Sequence, residues 1–242
     1  MGHYINQFLF GIYPYIALTV FFVGSLLRYD RDQFTWKASS SQLLSRKDMR
    51  VGSNLFHIGI IMLFFGHLFG LLTPHSAYAW MMDAGTKQLI AMTAGGIFGV
   101  ICLLGMLLLI RRRITDPRIR ATSQFADLPI LLILFVQLVL GLLTIPFSAQ
   151  HMDGSSMLAL AHWAQHLVTF QGDAANYVAD QALVFKAHLV LGMTIFLLFP
   201  FTRLVHVWSV PIQYLSLIHI SRAHETILPI AYAVFCVKMG GG

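Results

Sequence analysis

Apolar positions gather into five long runs, at about 7–27, 51–72, 89–110, 128–146 and 182–208, separated by polar, charge-bearing connections. A helix needs roughly 20 apolar residues to cross the ~30 Å hydrocarbon layer of a bilayer. Each run therefore predicts a membrane-spanning helix. The first run has no basic stretch before it and no small-residue cleavage site, and it ends in Arg28 and Asp30. It reads as a span rather than a signal peptide. The longest connection, 148–180, carries Asp153, Asp173 and Asp180 but no Lys or Arg. Within it, 155–170 predicts a short amphipathic helix lying over the bundle at the membrane surface.

Composition agrees with residence in lipid. Of 242 residues, 57% are hydrophobic and 11% charged, against about a quarter charged in soluble domains. Mean hydropathy is +0.71. The net charge of +6 could suggest nucleic acid, but the placement of the charges excludes it. Arg28, Arg31, Lys37, Arg46, Lys47 and Arg50 lie between the first two runs. Arg111, Arg112, Arg113, Arg118 and Arg120 lie between the third and fourth, and Arg203, Arg222 and Lys238 at or after the end of the fifth. The remaining connections hold only Lys87 and Lys186, so 14 of 16 basic residues share one side. The positive-inside rule makes that side cytoplasmic.

The expected fold class is an all-α membrane protein with five transmembrane helices, the N-terminus periplasmic and the C-terminus cytoplasmic. Residues 1–215 form one membrane domain, without a soluble region large enough to bury its own core. The inner loop at about 29–50 is polar and long enough for a partner to dock on it. The segment 216–242 changes character, mixing His219, His224 and Glu225 with a short apolar run and three terminal glycines. It is assigned no function. Cys102 and Cys236 lie outside any C-x-x-C-H motif, which excludes covalent c-type haem attachment and implies no disulfide framework.

Small residues mark close approach. Gly52, Gly59 and Gly66 recur every seven residues along the second run. Gly66 with Gly70, and Gly95 with Gly99, have small-x-x-x-small spacing. Helix packing explains these glycines; along the second run, room for a flat macrocycle against the backbone is the other reading.

Of eleven histidines, His57, His67, His188 and His206 fall inside or at the ends of apolar runs. An ionisable residue at membrane depth is costly and is a functional candidate. The second run passes from inside to outside, so His67 lies ~15 Å outward of His57 at 1.5 Å per residue. The fifth passes the other way, so His206 lies ~27 Å inward of His188, five helical turns on and on the same face. Matching depth pairs His67 with His188 in the outer half and His57 with His206 in the inner half. Two neutral imidazoles facing each other from antiparallel helices are what bis-histidine haem ligation needs. Zinc would want four clustered ligands, which these depths forbid. His57 and His67 differ by about 80° around an ideal helix, so the two haem planes differ in orientation or the helix bends. Arg28, Arg111, Arg112, Arg113 and Arg203 are candidate partners for haem propionates, although topology alone also explains them. His75, His151, His162 and His166 read as surface or loop-packing groups, and His3, His219 and His224 as solvated.

With these residues in place, the chain resembles the gamma subunits of membrane-bound respiratory nitrate reductases, which are dihaem cytochromes b. The matching segments are Ile12-Tyr-Pro-Tyr-Ile16, Leu27-Arg-Tyr-Asp30, Ser53-Asn-Leu-Phe-His-Ile-Gly59, Gly66-His67 and Leu72-Thr-Pro-His75. They continue through Leu142-Leu-Thr-Ile-Pro-Phe-Ser-Ala-Gln-His-Met-Asp-Gly154, His188-Leu-Val-Leu-Gly-Met193 and His206-Val-Trp-Ser-Val-Pro211. The resemblance covers about residues 4–215. It implies an outer haem b on His67 and His188 and an inner haem b on His57 and His206, the pairing that depth also selects. It further implies a quinol site beside the outer haem, with Lys87 matching a lysine of that site. A cation at Lys87 can hydrogen-bond a quinol oxygen, and interfacial snorkelling explains it equally well. Gly66, beside His67, leaves room for a quinone ring.

The function implied is quinol oxidation at the periplasmic side of a bacterial cytoplasmic (inner) membrane. Electrons would pass through the two haems to an iron–sulfur beta subunit, and on to a molybdenum-containing catalytic alpha subunit that reduces nitrate. The resemblance associates the chain with anaerobic respiration and nitrate assimilation. Family members usually end in a short basic cytoplasmic segment that helps dock the soluble subunits, and 216–242 departs from it. Two alternatives stay open at this point. One is a related dihaem cytochrome serving a sulfur-compound or heterodisulfide reductase, which a neighbouring gene for a molybdopterin subunit would distinguish. The other is a haem-free membrane anchor or transporter, which a reduced-minus-oxidised spectrum would distinguish.

Overall fold

The computed structural model describes residues 2–32, 47–117 and 127–209. Among these residues there is no strand. The helices that matter are α1 (Gly2–Arg31), α2 (Lys47–Leu72), α3 (Ala84–Thr115), α4 (Asp127–Ser148), α5 (Ser155–Val168) and α6 (Leu183–Leu198). Five spans are long and apolar enough to cross a membrane: α1, α2 from Arg50, α3, α4, and α6 together with the turn that follows it, Leu183–Phe201. The first four predicted runs each lie inside one of these spans. The segment 216–242 and most of the inner loop lie outside the described residues.

The fifth run departs from expectation. It predicts one helix through 208, but α6 stops at Leu198. Proline lacks an N–H, and its ring collides with the carbonyl four residues back. At Pro200 the chain accordingly tightens into a 3-10 turn at Phe199–Phe201, then a 3-10 segment at Arg203–Ser209. His188 and His206 are therefore not on one continuous helix, and the five-turn phase argument does not apply to them.

A second proline shapes α1, which contains a π-helical turn at Phe8–Ile12. Pro14 cannot supply the N–H that the Phe10 carbonyl would receive in an α-helix. The indole Nε1 of buried Trp163 donates to that carbonyl instead, at 2.9 Å. Trp163 belongs to α5, the expected amphipathic helix. Its apolar side (Trp163, Ala164, Leu167) is buried against Phe10 and the 3-10 helix Ala174–Val178. Gln165 of α5 donates to the Leu71 carbonyl at 2.9 Å, capping the end of α2. Gly154, just before α5, has φ +83°, and a Cβ there would sit 2.6 Å from that of Ala84. Only glycine takes that conformation without strain and permits that approach.

Helices α2 and α3 pack broadly and antiparallel. A Cβ added at Gly59 would lie 2.7 Å from Cys102 Cα, and one at Gly105 would collide with the backbone nitrogen of Phe56. Backbones approach this closely only through small residues. In contrast, Cβ atoms added at Gly66, Gly70 and Gly95 would meet no described atom within 4 Å. The seven-residue stripe thus divides, Gly52 and Gly59 serving helix packing while Gly66 faces open space. In the other small-residue pair, Gly99 packs on Leu142 of α4.

Helix α6 packs against α1 and α4 instead, so α2 and α6 share no broad interface. The charged end of the bundle is tied by buried Asp127, which meets Arg113 at 3.2 Å and Arg203 at 3.6 Å. Arg28 donates to the Pro200 and Thr202 carbonyls at 2.7 and 2.9 Å, holding α1 to the broken end of the fifth span.

Candidate functional site

The four histidines come together across the space between α2 and the fifth span. His67 meets His188, with ring centroids 6.1 Å apart and planes at 38°. His57 meets His206, at 6.4 Å and 71°. A metal bound by an imidazole nitrogen at about 2 Å on each side separates the ring centroids by roughly 6 Å. Both pairs have that spacing. Among the described residues, no three His, Cys, Asp or Glu side chains are gathered to hold a metal. Each pair therefore suits a metal that arrives with its remaining ligands, as haem iron does.

Ring orientation fits the same role. A carbonyl only accepts, so the ring nitrogen facing it must carry the proton. His57 Nδ1 donates to the Ser53 carbonyl and His67 Nδ1 to the Leu63 carbonyl, each at 2.7 Å. His206 Nδ1 donates to the Arg203 carbonyl at 2.6 Å. In all three the Nδ1–H tautomer is selected, which leaves Nε2 with its lone pair free to bind a metal. On α2 this follows from local geometry, since a carbonyl four residues back lies under the ring. His188 differs: its ring faces the main chain of Gln137 on α4 rather than a carbonyl of its own turn. Its ring packs instead on α4, where a Cβ added at Gly141 would sit 3.0 Å from His188 Cε1. Gln137, one turn before Gly141, donates from Nε2 to the His188 carbonyl at 3.1 Å. Sequence reasoning passed over Gln137. Its signal was present, as the one side-chain amide in the apolar run 128–146.

Lys87 lies in the first turn of α3. Its Nζ donates to the Thr73 carbonyl at 3.4 Å and lies 3.9 Å from the centre of the Tyr78 ring. Lys87, Ala91 and Gly95 follow one another by single turns along one face of α3. Continuing the register in which Gly59 meets Cys102, Gly66 comes level with Gly95. Both lack described neighbours in the Cβ direction. The space in front of Gly66 and Gly95, beside His67, is therefore open, and Lys87 lies two turns from Gly95 toward the start of α3.

The other histidines lie outside this arrangement. His166 Nδ1 donates to the Asp173 carboxylate at 2.7 Å, and that bond holds the Asp173 carboxyl below the ordinary carboxylate range. The His162 and His166 rings pack against Tyr177, and His75 packs against Tyr78. Arg28, Arg113 and Arg203 are engaged by the carbonyls and the carboxylate described above, which gives each a structural tie at the charged end.

The model of the nitrate reductase gamma subunit family matches residues 6–223. This chain belongs to that family. It is 58% identical over 213 residues to the respiratory nitrate reductase 1 gamma chain of Escherichia coli (strain K12), covering 88% of this chain and 95% of that one. It is equally 58% identical to the respiratory nitrate reductase 2 gamma chain of the same strain, over 216 residues, 89% of this chain and 96% of that one. The nitrate reductase gamma chain of Bacillus subtilis (strain 168) is 38% identical over 212 residues, with 87% and 95% covered. Both Escherichia coli relatives are named as respiratory chains. Among gamma subunits this similar, the process named is respiration, and the expectation of nitrate assimilation is replaced accordingly.

Proposed function

We propose that this chain is the quinol-oxidising cytochrome b subunit of a respiratory nitrate reductase in a bacterial cytoplasmic membrane. His67 and His188 would hold a haem b near the periplasmic face, and His57 and His206 a second near the cytoplasmic face. The observation that carries this is the pair of facing imidazole couples, both at metal-spanning separation and at two depths of one bundle. The orientation rests on the basic residues gathered at one end, which the positive-inside rule assigns to the cytoplasm.

When bound, the haems supply one-electron carriers at two depths, and the protein supplies their spacing and surroundings. The chain's own residues do the rest. The fixed Nδ1–H tautomers present Nε2 of His57, His67 and His206 to the metal without a search among rotamers. The open space at Gly66 and Gly95 would admit a flat ring next to His67. Lys87 can donate a hydrogen bond to a quinol oxygen at the outer end, since an ammonium has three donors and the Thr73 carbonyl uses one. Quinol protons are then released on the periplasmic side, while electrons leave on the cytoplasmic side to an iron–sulfur subunit and a molybdenum-containing subunit that reduces nitrate. Separation of the two charges across the bilayer makes the reaction electrogenic.

The test is a reduced-minus-oxidised spectrum of the purified chain, followed by addition of a quinol. The expected result is a b-type alpha band that quinol alone produces. Well-folded protein with no haem band would reject the assignment, and a haem band that quinol cannot produce would reject the quinol site.

A further inference from the structure

A lysine at a membrane surface with nothing to hold it extends its ammonium into water. Lys87 is placed otherwise. It is half-buried, and its Nζ lies 3.9 Å from the centre of the Tyr78 ring while donating to the Thr73 carbonyl at 3.4 Å. Both partners belong to the connection between α2 and α3, and both are fixed by contacts of their own. Tyr78 is 6% exposed and closes the short helix His75–Tyr78, where its carbonyl accepts from the N–H groups of Met81 and Met82. The His75 ring stands edge-on to it, with centroids 5.1 Å apart and planes at 74°. The Thr73 carbonyl accepts a second bond, from Gln165 Nε2 of α5 at 3.4 Å.

The physical effect of this setting falls on the lysine. Its ammonium sits on a flexible four-carbon stem, and holding it at one place costs rotamer freedom. A ring face and a carbonyl impose that cost when the chain folds, so a ligand arriving later does not bear it. The attraction of a cation to the negative face of an aromatic ring is strongest where water is scarce. An ammonium has three donors. With one on the Thr73 carbonyl and one over the ring, one is left for a ligand.

We propose that Tyr78 is the positioning residue of Lys87, its ring holding the ammonium so that the remaining donor meets a quinol oxygen. This rests on the reading of Lys87 as a quinol-site residue. Tyr78 acts through Lys87 and needs no contact with quinol. The ring face carries the effect, so phenylalanine can replace tyrosine and an aliphatic side chain cannot.

The experiment is haem reduction by duroquinol in membranes containing the full chain, read as the half-saturating quinol concentration, with the b-type band measured on each sample. Tyr78→Leu is expected to raise that concentration about five- to thirtyfold, the range a desolvated cation–π contact spans. Tyr78→Phe should stay within about twofold of wild type. Lys87→Ala should also raise it, and in that background Tyr78→Leu should add nothing, because the interaction it removes is already gone. An equal rise from Tyr78→Leu in both backgrounds assigns Tyr78 to packing and overturns the proposal. Where Tyr78→Leu loses haem, phenylalanine bearing one, two or three ring fluorines at position 78 keeps the shape and weakens the ring's negative face. A concentration that climbs with each fluorine supports the proposal, and a flat series overturns it. If Lys87→Ala raises the concentration and Tyr78→Leu does not, the proposal alone fails. If Lys87→Ala leaves it unchanged, the quinol reading of Lys87 fails, and the role of Tyr78 with it.

Discussion

At the scale of the residue, the four histidines divide the work by what each nitrogen touches. Three have Nδ1 committed to a carbonyl, which leaves Nε2 of each as the nitrogen with a free lone pair. Replacing His67 or His188 with alanine should remove one b-type haem, the outer, and about half of the alpha-band absorbance. Replacing His57 or His206 should remove the inner one. Loss of the opposite haem would refute the pairing. A different residue carries the outer packing. Trp163 is 2% exposed, and its indole N–H serves a carbonyl that Pro14 leaves without its helical donor. Trp163→Phe keeps the ring and deletes the donor, so a buried acceptor goes unpaired at a cost of about 1–3 kcal/mol. A lowered thermal midpoint in detergent checks this, and an unchanged midpoint would mean that another donor reaches Phe10.

At the scale of the element, α2 has two different faces toward α3 along its length. Near Gly59 the helices touch backbone to backbone, so Gly59→Val must force them apart at a cost of about 1–3 kcal/mol or more. Folded yield and haem content should both fall. Gly66→Ala meets no described atom within 4 Å, so folding and both haems should persist. On the quinol-site reading its methyl group instead narrows the open space beside His67, and the KM for quinol should rise several-fold. Equal loss of folded protein in both variants would show that the glycine stripe is a single packing surface. The same helix shows why the glycine pattern was ambiguous in sequence. A seven-residue repeat drifts by about 20° per step around a straight helix, and whether the third glycine still faces its neighbour depends on how the two axes cross.

At the scale of the molecule, the charges and the amphipathic helix define two unlike ends. Asp127, Arg113, Arg203 and Arg28 tie four chain segments together at one end. At the other, α5 covers the ends of α1 and α2. The proposed orientation predicts that a cysteine at Ser155 reacts with a membrane-impermeant thiol reagent in cells whose outer membrane alone has been opened. A cysteine at Thr115 should react only after the inner membrane is breached, both being placed in a Cys236→Ser chain. The reverse pattern would invert the topology, and with it the side on which protons are released.

The spans, their order and the surface helix 155–170 were legible in the sequence. Partition into a bilayer is a property of each segment alone, set by its length and its apolar content. The histidine pairs were legible for a similar reason, because antiparallel order and a fixed rise per residue assign each ring a depth. Tertiary structure decided the remainder. It ended α6 ahead of Pro200, so that His206 reaches His57 from a 3-10 segment rather than from the helix that carries His188. It also divided the glycine stripe between packing and open space, and it set Gln137 against His188. Each of these depends on how neighbouring axes cross and which side chains meet there, and no single segment encodes that contact by its own periodicity.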